Sequence, residues 1–247
     1  MNSKLQEELF DIDKLGAKIK DAKDEGINVE YKKIKDERSE TAIKDYKSSM
    51  MKEFNHFLSN ITNKLKYILD IALQDKGCLL ETSISVKQFN RKVEDVGDIK
   101  DVTVITTFRD SQSYSQGKRE IGEKAYSILG NTDFQYCLTH PYFLKNNICK
   151  NDRTYDNENK EFLEYYNCTI VVPIKYSYPD STIFYGYLAC DIFNTDFAKD
   201  NLLDDKMAEI IEATAGIMGS YFDSIDYQWS FFLNDDFMDV FFKMKKK

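Results

Sequence analysis

Two apolar runs around a polar turn, "TIVVPIKYSYPDSTIFYGYLACD" from Thr169 to Asp191, constrain the fold more than any other stretch. β-branched and aromatic residues crowd both sides of Pro179-Asp180, a turn dipeptide, so the segment reads as a β-hairpin with a slightly long loop. Pro173 stands inside the first run, although the chain has only three prolines. A proline cannot donate to a sheet ladder and is confined to edges, bulges and strand ends, so Pro173 demands a local reason.

The elements around this hairpin follow from periodicity. Residues 1 to about 37 are charged and weakly amphipathic, a helical arm or coiled-coil start that Gly26 interrupts. From Ser39 to Gln74 there is no Gly or Pro, and Ile43, Tyr46, Met50, Phe54, Phe57, Ile61, Leu65, Ile68 and Ala72 follow spacings of 3, 4, 4, 3, 4, 4, 3 and 4. This eleven-residue repeat is near the straight-helix period and suits helix pairing. Met51, Leu58 and Leu69 widen the stripe, so part of the helix is expected to pack on its own domain and the rest to meet a second copy. Gly77 is placed as its left-handed cap. "CLLETSISVKQF" and "DVTVITTFRD" read as an antiparallel strand pair, with Leu80, Thr82, Ile84 and Val86 on one face. Asn131 or Thr132 is expected to cap a short helix that Pro141 stops, and "NNICKNDRTYDNENKEF" reads as a surface loop. Leu203, Met207, Ile210, Thr214, Ile217, Tyr221 and Ile225 share one face of a final helix over 200 to 226.

Composition limits the function classes. A net charge of -8 and a pI near 5.0 oppose broad binding to nucleic acid or to an anionic membrane surface, which needs clustered Lys and Arg. No run approaches a membrane span, and the amino terminus lacks the apolar centre of a signal peptide, which together point to the cytoplasm. The five cysteines are scattered and without CxxC, so they read as reduced, buried thiols. No Gly-rich phosphate loop, GxSxG or HExxH occurs, so no catalytic residue, metal ligand or cofactor is assigned.

A strand ending in "VVPI", a variable turn, then "GYLACD" and a long amphipathic helix resembles the last third of a GAF domain, a small ligand-sensing module related to PAS. The resemblance extends over roughly Ser39 to Ile225, with Thr169 to Asp191 its specific part. It implies an α+β fold: a five- or six-stranded antiparallel GAF-like sheet flanked by long N- and C-terminal helices. Residues 1–37 would be an arm, 38–226 the GAF-like domain and 227–247 an aromatic, basic-ended tail. It also implies that Pro173 marks a bend or bulge beside the pocket, and that Gly186 permits close backbone approach in the next strand.

Candidate ligand-binding residues follow from chemistry. Arg109 at a strand end and Arg119 in a polar loop would clamp a carboxylate or phosphate through bidentate bonds; the plain alternative for Arg109 is a surface turn with Asp110. Asp191 would orient a ligand amine, or cap the next segment. Tyr176, Tyr185 and Tyr187 would line a pocket, Tyr185 and Tyr187 from the same strand face; ordinary core and surface packing is the alternative. Cys137, His140, Cys149 and Cys168 can be drawn as a zinc site, although the spacing fits no familiar zinc motif.

The resulting expectation is a non-enzymatic, cytoplasmic sensor. It would bind a small polar or anionic ligand and signal through rearrangement of a homodimer to a separate protein partner. The competing readings are a pocket-less interaction protein that recruits a partner through its helices and Phe-rich tail, and a thiol redox enzyme using Cys137, Cys149 or Cys168.

Overall fold

A computed structural model of the chain describes residues 25–94, 97, 99–115, 121–122, 124–194 and 201–233, with side chains from residue 41 onward except 228 and 231–233. Arg119 and the end of the Phe-rich tail lie outside these residues. The chain divides into two compact units, residues 1–56 and 57–247. Helix α1, Glu25–Asp75, enters the second unit at Phe57.

The second unit is α+β. Its strands are β1 (Ser83–Val93), β2 (Thr103–Arg109), β3 (Tyr126–Ser127), β4 (Phe143–Lys145), β5 (Cys168–Ser177) and β6 (Thr182–Ile192). They form one six-stranded antiparallel sheet in the order β3-β2-β1-β6-β5-β4. Short helices α2 (Ser111–Ser115) and α3 (Thr132–Tyr136) and long helix α4 (Asp205–Leu233) complete it. The predicted hairpin is β5–β6, and β6 continues from it to pair with β1, so β6, the most buried strand, lies at the sheet centre.

Pro173 is tolerated for a specific reason. It stays in register opposite Tyr187, and the register shift falls just beyond it, between Ile174 and Lys175. On its other side the last pair with β4 is Phe143 with Val171, so Pro173 stands past the end of β4, where no ladder partner is required of it. The bulge expected at the proline is thus displaced by one residue. Gly186 behaves as expected: a Cβ there would lie 2.0 Å from the Lys87 carbonyl oxygen, and its φ of +155° also favours glycine.

Within the second unit, residues 57–75 of α1 and helix α4 make contacts with the sheet. α1 ends in a Schellman turn, with Gly77 N–H donating to Gln74 O at 2.8 Å, Cys78 N–H to Leu73 O at 2.9 Å, and Gly77 at φ +70°. Within the second unit its buried stripe is Leu58, Leu65, Leu69 and Leu73, while Ile68 of the eleven-residue seam stands 47% exposed. The residues that widen the stripe in sequence are therefore among those that pack on the domain. Lys66 Nζ donates to Thr82 O at 2.6 Å, and Asp70 accepts from the Thr82 N–H and hydroxyl at 2.7 and 2.8 Å, which ties α1 to the start of β1. The Phe57 and Tyr221 rings stack at 3.8 Å and join α1 to α4.

α4 starts on an Asp204 cap, whose Oδ1 accepts the Met207 N–H at 2.9 Å while Oδ2 pairs with Lys76 at 2.7 Å. Burial opposes ionisation of Asp204, but these donors outweigh it and hold its pKa below the usual range. Met207, Ala208, Ile211, Ala215, Met218, Phe222 and Ile225 are buried along the helix, whereas Ile210 and Ile217 of the predicted face are exposed. No helix among the described residues is long and apolar enough to cross a membrane.

α4 lies tightly against the sheet at Gly219, where a Cβ would lie 2.0 Å from the Lys175 carbonyl oxygen. One turn earlier, Gly216 faces open space. Gly219→Ala is expected to destabilise the protein by more than about 2 kcal/mol, because rigid backbone on both sides cannot yield. Gly216→Ala should stabilise it by about 0.5–1 kcal/mol through helix propensity. Urea unfolding of the two variants measures both signs.

Candidate functional site

The face of the sheet opposite α1 and α4 carries the chemistry. β1 and β6 pair without interruption from Ser83–Asp191 to Lys87–Tyr187, so Ser83, Ser85 and Lys87 share this face with Asp191, Ala189 and Tyr187. Arg109 of β2 lies opposite Ser85, and Thr169 of β5 opposite Asp191. Four adjacent strands thereby bring Arg109, Lys87, Asp191 and Thr169 onto one surface. Arg109, Ser85, Asp191 and Thr169 are all buried. Small side chains, Ser85 and Ala189, occupy the middle of this arrangement.

α3 lies over the same face. Phe134 stacks on Tyr187 at 4.8 Å with 7° between the ring planes, and the Tyr187 hydroxyl donates to Phe134 O at 2.9 Å. The Lys87 ammonium lies 5.7 Å from the Phe134 ring centroid. Asp133, next to it, is buried and accepts from the Phe134 N–H at 2.9 Å and the Tyr155 hydroxyl at 3.1 Å. Tyr155 and Tyr166 share a hydrogen bond of 3.1 Å, and Asn157 Nδ2 donates to the Tyr166 oxygen at 2.8 Å. Asp191 Oδ1 accepts from the Thr169 hydroxyl at 2.7 Å.

The electrostatics are set by burial. Loss of water raises the Asp133 pKa to about 6; Lys87, the Phe134 N–H and the Tyr155 hydroxyl pull it down, and the Asp191 charge pushes it up. Burial likewise drives the Tyr155 and Tyr187 hydroxyls and the Cys137 thiol well above their ordinary values, with Asp133 adding to each. These groups stay neutral, and Asp133 takes up its charge only above about pH 6.

The sequence-derived candidates divide between the two faces. Arg109 and Asp191 lie on the α3 face with Tyr187. The Arg109–Asp110 surface turn does not occur, because both residues are buried; Asp110 accepts from the Ile84 and Ser113 N–H groups at 2.8 and 2.9 Å. Asp191 is neither a cap nor a turn residue, since it lies inside β6. Tyr185 does not share a face with Tyr187. The irregularity at Gly186 turns Tyr185 toward α4, where its hydroxyl donates to Asp223 at 2.8 Å and its ring meets Phe222 edge-on at 5.9 Å. Tyr178 donates to the same carboxylate at 2.6 Å, and Tyr176 packs edge-on against Tyr178 at 4.9 Å. Tyr176 and Tyr185 therefore belong to the contact between sheet and helix.

Lys87, Asp133, Tyr155, Asn157 and Tyr166 were not singled out from sequence. The segment containing Tyr155 and Asn157, read as a surface loop, turns these two side chains inward. The Tyr-x-Asn spacing within that polar run is the one available hint. The drawn zinc site does not assemble: Cys137 Sγ donates to Val171 O at 3.2 Å, Cys149 is exposed, and no group of three or more metal-ligating side chains occurs among the described residues. Exposed Cys149 also departs from the expectation that all five cysteines are buried.

No protein-family model matches the chain, and no curated protein or solved structure was found that matches it. The functional reading therefore rests on this chain's own residues.

A buried carboxyl with a raised pKa makes stability depend on pH. In the folded state Asp133 holds its proton up to about pH 6, whereas the unfolded chain releases it near pH 4. The folded state thus binds more protons between these values, and its stability falls as pH rises through them. Asp133→Asn should flatten this slope and raise stability at neutral pH by at most about 3 kcal/mol. Denaturant unfolding of both proteins across this range checks the sign.

Proposed function

We propose that the protein is a non-enzymatic, cytoplasmic sensor of the GAF-like kind, which binds a small polar or anionic ligand on the α3 face of the sheet. The observation that carries this reading is the convergence of Arg109, Lys87 and Asp191 from three adjacent strands onto one largely buried face. Charged groups are costly to bury, and a fold that gathers several around small central side chains gains recognition from them. A planar guanidinium beside an ammonium suits a carboxylate or phosphate. The antiparallel hairpin followed by a long amphipathic helix agrees with the GAF resemblance.

Signal output follows from β6. Its residues contact both sides of the sheet: Tyr187 and Asp191 stand on the ligand face, while Tyr185 is bonded to Asp223 of α4. A ligand that favours one position of β6 would bias the position of α4. Tyr67, Ile68 and Ile71 on α1, with Ile210 and Ile217 on α4, provide exposed apolar surface for a homodimer whose rearrangement is read by a separate protein partner. The free state of all five cysteines accords with a reducing compartment.

A thermal-shift panel of small carboxylates and phosphates should contain at least one compound that raises Tm. Arg109→Ala should weaken its binding by about tenfold to a hundredfold, the worth of charge-assisted hydrogen bonds. A panel without any shift would remove the sensor reading.

A further inference from the structure

We infer that residues 148–167 form a strap whose closure onto α3 is coupled to a proton on Asp133: the strap is held closed while this carboxyl is neutral and loosens as it ionises. The inference stands whether or not the sheet face binds a ligand.

The strap is a unit of its own. Its ends meet, since the Ile148 N–H donates to Asn167 O at 2.7 Å. Ile148, Tyr155 and Tyr166 pack with Phe162 and Leu163 in a small cluster, whereas the sheet beneath α3 has its own core around Phe89, Phe134 and Tyr187. A loop that closes on itself around its own apolar side chains can open without unfolding the sheet.

The strap is fastened to the stretch from Ser127 to Asp133. The Thr132 N–H donates to Asp156 O at 3.0 Å, the Asp156 N–H to Thr132 Oγ1 at 2.8 Å, and the Ser127 N–H to the Glu158 carboxylate at 2.6 Å. These bonds lie at the surface. The interior fastening is the Tyr155 hydroxyl, which donates to Asp133 Oδ2 at 3.1 Å and is backed by Tyr166 and Asn157. Asp133, Tyr155 and Tyr166 are all buried. Both donors to Asp133, the Phe134 N–H and the Tyr155 hydroxyl, are uncharged. Two such donors compensate a buried carboxylate only in part, and water admitted by an open strap would complete its solvation.

The titratable groups facing Asp133 are Lys87 from β1, Asp191 and Tyr187 from β6, Cys137 from the end of α3, and Tyr155 from the strap with Tyr166 behind it. Burial opposes ionisation most strongly and Asp191 adds to it; Lys87 and the two donors act the other way. The balance puts the closed-state carboxyl at about 6, whereas an open strap returns it toward the ordinary value of about 4. The closed strap therefore binds the proton more tightly than the open one. Opening becomes easier as pH rises through this interval, by about tenfold between pH 5 and pH 8.

Hydrogen–deuterium exchange of the full chain, corrected for the intrinsic pH dependence of amide exchange, reads this opening. Amides within 148–167 should be less protected than those of β5 and β6, and their protection should fall about tenfold from pH 5 to pH 8. Asp133→Asn should abolish that slope. Tyr155→Phe should steepen it, because the hydroxyl donates more strongly to the ionised carboxylate than to the neutral acid.

Strap amides as protected as those of β5 and β6 would show that these residues open only with the whole domain, and would overturn the strap. Protection that is flat with pH would overturn the proton link. So would a slope that survives Asp133→Asn, which would assign it to another group such as the exposed His140. An unchanged slope in Tyr155→Phe would remove the hydroxyl as the coupling bond and overturn the mechanism.

Discussion

The pairing of β1 with β6 is the interaction on which the rest of this structure depends. The two strands are about a hundred residues apart in sequence, so forming the pair requires closure of a long loop before any contact is gained. Once formed, it places β2 and β5 on either side and sets which side chains face α3 and which face the long helices. Its tightest point is Gly186 against the Lys87 backbone, where no side chain would fit. A slip of β6 by one residue there would carry Tyr187 and Asp191 to the helix face and Leu188 and Cys190 to the polar one.

The irregularity at Gly186 has a second consequence. It breaks the simple alternation of β6, so that Tyr185 and Tyr187, two residues apart, point to opposite sides of the sheet. Tyr185 is fastened to Asp223, while Tyr187 is fastened to the backbone of α3. One strand thus holds both the helix layer and the cover of the candidate site, and displacement of either is felt by the other. In the proposed sensor this double attachment would couple a bound ligand to α4.

Much of the fold was legible in local pattern. Period-two alternation identified the β1–β2 pair, apolar runs around the Pro179-Asp180 turn identified the β5–β6 hairpin, and the Gly77 cap followed from the left-handed residue that a Schellman turn needs. The candidate site was legible only at Arg109, Asp191 and Tyr187, whose residue types suggest recognition wherever they occur. Lys87, Asp133, Tyr155 and Asn157 escaped because each looks like a solvated residue in its own segment. The burial of Asp133, Tyr155 and Asn157 and the partial cover of Lys87 are created by α3 and by the segment around Tyr155 meeting the sheet, contacts without a periodic signature. The Tyr185 and Tyr187 pairing failed because strict alternation does not anticipate a bulge.

The sequence by itself determined the antiparallel hairpin, the helix cap and the amphipathic character of the two long helices, because each arises from neighbours a few residues apart. The tertiary structure alone decided which stripe of each helix is covered, which face of β6 each tyrosine meets, and which charged groups are buried together. Those outcomes depend on strand register and on partners distant in the chain. Only after β1 pairs with β6 do Arg109, Ser85, Lys87 and Asp191 share one surface.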